Sequence, residues 1–205
     1  VKAIVIACNT ASALALDAVK DEFDLPIIGV VIPGARAAVE ATTNGKVGVV
    51  GTEATVQSGM YTKVIQGMNP KIEVIEKACP LFVPLVEEGF KEHIVTREII
   101  EYYLESMRNT DIDAMILGCT HYPLLRSKIR EYMGDKIQIV NPAYETAMDL
   151  KCLLEENDMA NDGTEGQHSN YSFYVSDAAE KFRKFANTVM PFDVPITNVV
   201  NIEGY

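Results

Sequence analysis

Two places in this 205-residue chain repeat one arrangement, and the repetition limits what the chain can fold into. Ala3-Ile4-Val5-Ile6-Ala7 is a β-rich apolar run that leads to Cys8-Asn9-Thr10, and an alanine-rich helix is expected over residues 11–23. Ala114-Met115-Ile116-Leu117 runs in the same way into Gly118-Cys119-Thr120-His121-Tyr122-Pro123. Pro123 has no N–H and a pre-set φ, which suits the opening of a helix. The expected helix puts Leu125, Ile129, Tyr132 and Met133 on one face. Each unit therefore sets a thiol and a hydroxyl at a strand-to-helix turn, beside the unpaired N–H groups of a helix N-terminus. That environment favours a carboxylate or a phosphate. It also lets a cysteine hold its thiolate more easily than in free solution. A lone buried cysteine is normally an inert small hydrophobe, whereas two matched thiols on matched turns point to a site.

Between and beyond these units, strands and helices alternate. Strands are expected at 27–31, 46–50, 72–75, 137–140 and 171–175. Pro33-Gly34 reads as a break, followed by a helix over 35–41, and Val56, Met60 and Val64 mark another that Gly67 closes. Residues 96–107 form an amphipathic helix with Ile99, Ile100, Tyr103, Leu104 and Met107 inward, and further helices cover 144–156 and 177–189. Residues 80–89 read as an apolar loop with two prolines that ends in Glu87-Glu88, and residues 158–170 as a polar loop holding His168. The alternation predicts an α/β fold with parallel sheets, in which ligands bind at the carboxyl ends of strands. Chain crossings near Ile32 and Asn141-Pro142 divide it into two similar parallel-sheet α/β domains, 1–31 plus 142–205 and 32–141. The active site is expected in the cleft between them, one cysteine on each side.

Composition excludes several classes. A net charge of −11 and a pI near 4.7 argue against nucleic acid, whose phosphates reward basic surfaces. No apolar run is long enough to span a bilayer, and no basic-then-apolar leader opens the chain. Four cysteines with no CxxC fit a reducing cytoplasm better than a disulfide framework or a zinc ribbon. His168 lacks a partner at ligand spacing, His93 reads as a surface residue, and no metal site is expected. Cys79 and Cys152 lack a neighbouring polar pattern and read as structural. A dinucleotide-binding module needs G-x-G-x-x-G, and the chain offers only Gly48 and Gly51 before Thr52. Thr52 and Thr55 are either donors toward a small carboxylate or helix caps.

Cys8-Asn9-Thr10-Ala11-Ser12 and Gly118-Cys119-Thr120-His121-Tyr122-Pro123 closely resemble the two signatures of the glutamate racemases, which are cofactor-independent. Gly51-Thr52 with Ala54-Thr55-Val56, and the stretch Cys79-Pro80-Leu81-Phe82-Val83-Pro84-Leu85-Val86-Glu87-Glu88-Gly89, resemble that family's middle segments. His121 separates the chain from the related aspartate racemases, which carry an acidic residue there. The resemblance implies interconversion of L- and D-glutamate, supplying D-glutamate for peptidoglycan, by a cytoplasmic homodimer without cofactor or metal. It implies Cys8 and Cys119 as the two bases, Cys8 acting on D-glutamate and Cys119 on L-glutamate, with His121 assisting. Asn9, Thr10, Thr52, Thr55 and Thr120 would then hold the substrate, and Glu87 would orient His121. For Glu87 the residues alone equally allow a solvated helix start.

The family also carries an Asp-Ser-Gly turn after its first strand and a later Pro-Tyr-Gly turn. Here Val1-Lys2 leads directly into the strand before Cys8. From that difference one expects a racemase short of its N-terminal βα units and with little activity. Its rivals are an aspartate or hydantoin racemase, a ligand-binding form without catalysis, and a nucleotide-binding α/β module.

Why two thiols suit racemisation follows from the reaction. Inverting an α-carbon removes a proton from one face and returns one to the other, and two opposed bases do this without moving. A thiolate is within reach at neutral pH when helix N-termini assist it.

Overall fold

Lys46–Gly51 and Ala114–Gly118 are near-continuous apolar runs, and a strand with both faces apolar belongs in the middle of a parallel sheet. The computed structural model places them there. It describes residues 1–161, 170–194 and 197–203 and divides into two compact units, Val1–Ala160 and Asn161–Tyr205. The first unit opens with β1 (Ile4–Ile6), α1 (Asn9–Glu22), β2 (Ile27–Gly29) and α2 (Val31–Ala41). There follow β3 (Lys46–Gly51), α3 (Glu53–Gln57), α4 (Met60–Met68), β4 (Glu73–Ala78), α5 (Phe82–Glu87) and α6 (Ile94–Arg108). It closes with β5 (Ala114–Gly118), a single 3-10 turn at Tyr122–Leu125, α7 (Arg126–Met133), β6 (Gln138–Val140) and α8 (Pro142–Glu156). The second unit carries β7 (Phe173–Val175), α9 (Ala179–Ala186) and β8 (Thr197–Val199), with β7 and β8 parallel. His168 lies outside the described residues.

All strand pairing is parallel, as the alternation of elements predicts. β1 pairs with β2, and a four-stranded sheet runs in the order β4-β3-β5-β6. From β3 the chain goes to β4 on one side; from β5 it goes to β6 on the other. The carboxyl ends of β3 and β5 thus form a topological switch point, where open α/β sheets bind ligands. The register pairs Gly51 with Gly118 there, so the Thr52 and Cys119 turns leave the sheet side by side. Val47, Val49, Ala114 and Ile116 join Ala35, Ala38, Tyr61 and Ile65 in one buried cluster. Burial at roughly 25 cal/mol per Å² of apolar surface makes such clusters the main stabilising term.

Three local expectations are corrected. Pro33-Gly34 does not break the chain but lies in the first turn of α2. A proline there costs no intrahelical bond, because the first four N–H groups of a helix have no partner in it. Gly34 leaves room for Pro142 at the start of α8, since a Cβ at residue 34 would sit 2.9 Å from that ring. The apolar stretch after Pro80 is helical as α5, so Glu87 ends a helix rather than beginning one. The helix expected through Val56, Met60 and Val64 is two, α3 and α4, split at Ser58-Gly59.

Ile32, where a crossing between domains was expected, lies in the first turn of α2, and Asn141 caps α8. These two helices pack together, with Arg36 of α2 paired to Asp149 of α8. No helix among the described residues is long and apolar enough to cross a membrane.

Candidate active site

Cys8 is the N-cap of α1, and the helix therefore begins earlier than the apolar pattern alone indicates. Its sulfur accepts from the Ala11 N–H at 3.5 Å, the role a serine or aspartate oxygen usually fills. The thiol is exposed. A sulfur so placed stands at the N-terminus of a 14-residue helix.

Cys119 follows the last residue of β5 and is 7% exposed. Burial raises its pKa above the ordinary thiol value, and a charge on Cys8 raises it further. The His121 and Tyr122 N–H groups and the Thr120 hydroxyl pull the other way without cancelling the shift. The easy thiolate expected of both turns is thus corrected for Cys119, because the turn that supplies N–H groups also shuts out water. The Cys119 turn leaves its sheet beside the Thr52 turn, which the α1 residue Thr10 reaches through its hydroxyl, so the two thiol-bearing turns approach one another although they hang from different sheets.

Gly118 makes that approach possible. A Cβ there would lie 2.8 Å from the Val50 carbonyl oxygen, a backbone atom that cannot swing aside, and 3.2 Å from the Tyr61 ring.

Around the sulfurs, hydroxyls and amides join the two sheets. Thr10 on α1 lies 2.9 Å from Thr52 and 3.0 Å from Thr55, oxygen to oxygen, and Thr52 and Thr55 are 3.0 Å apart. Three hydroxyls in a triangle can satisfy one another's hydrogen bonds. Thr52 also caps α3 by accepting from the Thr55 N–H, which bears out the cap reading of this threonine. Thr55 is fully buried and holds the other two in place. Asn9 is 4% exposed, and its Oδ1 accepts from the Tyr61 hydroxyl at 2.5 Å.

On the Cys119 side, His121 Nδ1 lies 3.9 Å from the sulfur and 3.2 Å from the exposed Thr120 hydroxyl. His121 Nε2 lies 3.3 Å from Glu87 Oε1. The geometry of thiol, imidazole and carboxylate is that of a reacting group, its neighbour and an orienting partner. Among the described residues no cluster of three or more His, Cys, Asp or Glu could hold a metal ion.

Cys79 and Cys152 stand apart from this group. Cys79 is fully buried, and desolvation pushes its thiol up to about 12. Cys152 is exposed on α8, so it is not a packed core residue.

Two tyrosines carry more of the site than the sequence suggests. The buried Tyr122 hydroxyl lies 2.9 Å from the Gly51 carbonyl oxygen and 2.7 Å from that of Cys79, pinning the Cys119 turn to the ends of β3 and β4. Tyr61 does the same toward α1. A buried tyrosine usually needs a partner for its hydroxyl, and that was the available signal; neither residue's partner is adjacent in the chain. Cavities of about 520 and 300 Å³ open elsewhere, beside Arg126 and Tyr144 and beside Leu14 and Met60.

A family model described as Asp/Glu/Hydantoin racemase matches residues 1–149. The chain is 42% identical over 187 residues to the glutamate racemase of Geobacter metallireducens, covering 91% of this chain and 68% of that protein. Among solved structures, a glutamate racemase of Bacillus anthracis superposes with a TM-score of 0.92 at 34% identity, over 98% of this chain and 74% of its own. The glutamate racemase of Francisella tularensis in complex with D-glutamate superposes with a TM-score of 0.91 at 34% identity, over 100% and 75%.

Proposed function

The chain belongs to the Asp/Glu/Hydantoin racemase family, and from that premise we propose that it interconverts L- and D-glutamate through Cys8 and Cys119. The observation that carries the reading is geometric: Thr10, two residues after Cys8, lies within hydrogen-bond reach of Thr52 and Thr55 at the end of β3, whose last residue Gly51 pairs with Gly118 just before Cys119. In this reading the two sulfurs share one negative charge, so that one is thiolate while the other keeps its proton. That is the state two-base racemisation starts from. With Cys8 as thiolate at its helix N-terminus, it takes the α-proton of D-glutamate. The C–H electron pair stays on the carbon, and Cys119 delivers its own proton to the opposite face. The product is L-glutamate, and the charge has moved to Cys119. The reverse reaction starts from that second state.

Thr10, Thr52 and Thr120, with Asn9 and the N–H groups of the helix starts, hold the substrate's carboxylates and amine. Thr55 holds Thr10 and Thr52. Glu87 keeps His121 turned toward Cys119, and an imidazole there helps the thiol take up or release its proton. Nothing in this route calls for a cofactor. Glutamate is favoured over aspartate by His121 and by the likeness to the protein solved with D-glutamate.

In the same reading the substrate-holding frame comes from two domains, 1–31 plus 142–205 and 32–141, each contributing one thiol. The four cysteines, all free thiols, suit a cytoplasmic enzyme making D-glutamate for peptidoglycan. A homodimer is its expected form, to be tested by sedimentation.

The experiment is to add L- or D-glutamate to the purified protein, without cofactor, and follow circular dichroism. The signal should decay to zero from either enantiomer, and in heavy water deuterium should enter the α-position. A signal that stays constant from both sides overturns the proposal.

A further inference from the structure

Tyr61 lies in α4, far from either thiol in sequence, and is fully buried. It touches three elements that matter to the site. Its hydroxyl donates to Asn9 Oδ1 at 2.5 Å, in the residue next to Cys8. Its ring edge lies against Gly118, which precedes Cys119, where an added Cβ would be 3.2 Å away. Its hydroxyl also faces Gly34 of α2, where an added Cβ would be 3.4 Å away. We propose that Tyr61 is a positioning residue: it holds the Asn9 side-chain amide in one orientation for substrate, and its ring registers that amide against the Cys119 turn. The inference rests on the reading of Asn9 as a substrate-binding residue.

A side-chain amide is a donor at one end and an acceptor at the other. With the tyrosine O–H on Oδ1, the amide has one preferred orientation, and its two N–H donors face away from the phenol. Those donors suit a carboxylate; the flipped amide would offer an oxygen to it instead and repel it. Tyr61 is well made for a fixed donor. Burial, then the neighbouring Glu76, then Cys119 raise its pKa far above the ordinary phenol value. It therefore stays protonated at any pH where the thiols exchange protons. Glu76 is itself held by the Thr62 N–H and hydroxyl on one oxygen, while its other oxygen is buried with no partner among the described residues.

The test compares wild type, Tyr61→Phe, Asn9→Ala and the double variant. Phenylalanine keeps the ring against Gly118 and removes only the hydroxyl. If Tyr61 acts through Asn9, Tyr61→Phe raises KM and the dissociation constant for glutamate by about tenfold, with kcat changed less, as expected for one hydrogen bond. In the Asn9→Ala background the same change adds nothing. An unaltered KM in Tyr61→Phe, or an equal penalty in both backgrounds, overturns the proposal. Should Tyr61→Phe not fold, NMR of the wild type decides. Asn9 side-chain amide protons that exchange slowly with water support a held amide, and rapidly exchanging ones overturn it. The same measurement separates this inference from the substrate reading: a held amide in a protein that neither binds nor racemises glutamate supports the positioning and overturns only the substrate.

Discussion

The two thiol-bearing turns begin from similar sequence and end in different surroundings. Cys8 leaves a short, partly exposed strand in a two-stranded sheet, is itself exposed, and caps a helix of 14 residues. Cys119 leaves the most buried strand of a four-stranded sheet, is 7% exposed, and is followed by a single 3-10 turn. The first sulfur caps a helix end. The second is held protonated by burial and backed by His121 and Glu87. A sequence motif thus sets which groups stand at a turn, while the depth of the strand beneath it sets how they ionise. For a two-base reaction the inequality is useful, because the two thiols must never be in the same protonation state.

The largest test of this comparison removes each sulfur in turn. Cys8→Ser and Cys119→Ser should each lower racemisation by roughly 10²–10⁴, the effect of losing a positioned acid–base group. Each should also abolish deuterium uptake from the enantiomer that the missing thiol deprotonates. Full racemisation by either variant, followed by polarimetry, would remove the two-thiol mechanism.

Alkylation separates the surroundings themselves. Under brief native treatment with iodoacetamide, Cys8 and the exposed Cys152 should label first, Cys119 later and Cys79 last. Cys79, pushed up to about 12, should lag the exposed thiols by at least about a hundredfold. Glutamate should protect Cys8 and Cys119 and leave Cys152 unchanged. Peptide mapping that finds Cys119 as fast as Cys8 would mean that the two turns are alike after all.

Glycine substitutions probe the packing under each turn. Gly118→Ala sets a Cβ against the Val50 backbone carbonyl and should cost about 1–3 kcal/mol. Gly29→Ala, on the β1–β2 side, meets only Ser12 and Leu16 side chains at 3.0 Å, which can shift, and should cost less. Chemical denaturation that ranks them the other way would contradict the greater rigidity assigned to the β3–β5 junction.

Glu87→Gln weakens the support of His121 and should slow turnover by about tenfold, with Cys8 reactivity unaffected. Because the enantiomers are equally stable, kcat/KM must fall equally in both directions. The asymmetry should therefore appear in the α-deuterium isotope effects, raised more when Cys119 takes the proton. Equal isotope effects would show that His121 does not favour one thiol.

The smallest effect concerns the start of β5. Burial raises the carboxyl of Asp113, but the Thr42 and Thr43 hydroxyls and the Thr43 and Asn44 N–H groups outweigh it and bring it to about 2. The folded value lies below the ordinary 3.8, so its contribution is complete above pH 3.8 and is lost as pH falls through 2. Asp113→Asn should cost about 1–2 kcal/mol at neutral pH, and the difference should vanish near pH 2. A pH-independent difference would assign the loss to packing instead.

Much of this was readable without coordinates. Parallel pairing, the two cysteine turns and the deep burial of the β3 and β5 runs follow from strand composition and alternation, because those signals are local. Pro33 misled, since a proline breaks a helix interior but not its first turn. The stretch before Glu87 misled too, because two prolines in an apolar run look alike in a loop and in a short helix.

What the chain determined by itself is the inventory: two thiols, four threonines, an asparagine and a histidine at or just after the ends of strands, in an order that marks the family. Only the tertiary structure decided that Thr10 closes a triangle with Thr52 and Thr55, that Tyr61 reaches Asn9, and that Cys119 is dry while Cys8 is wet. Those relations join residues distant in the chain, and they follow from which strands became neighbours and how deeply each was buried. Side-chain type sets what a group can do; water access and the partner across the sheet set which of those things it does.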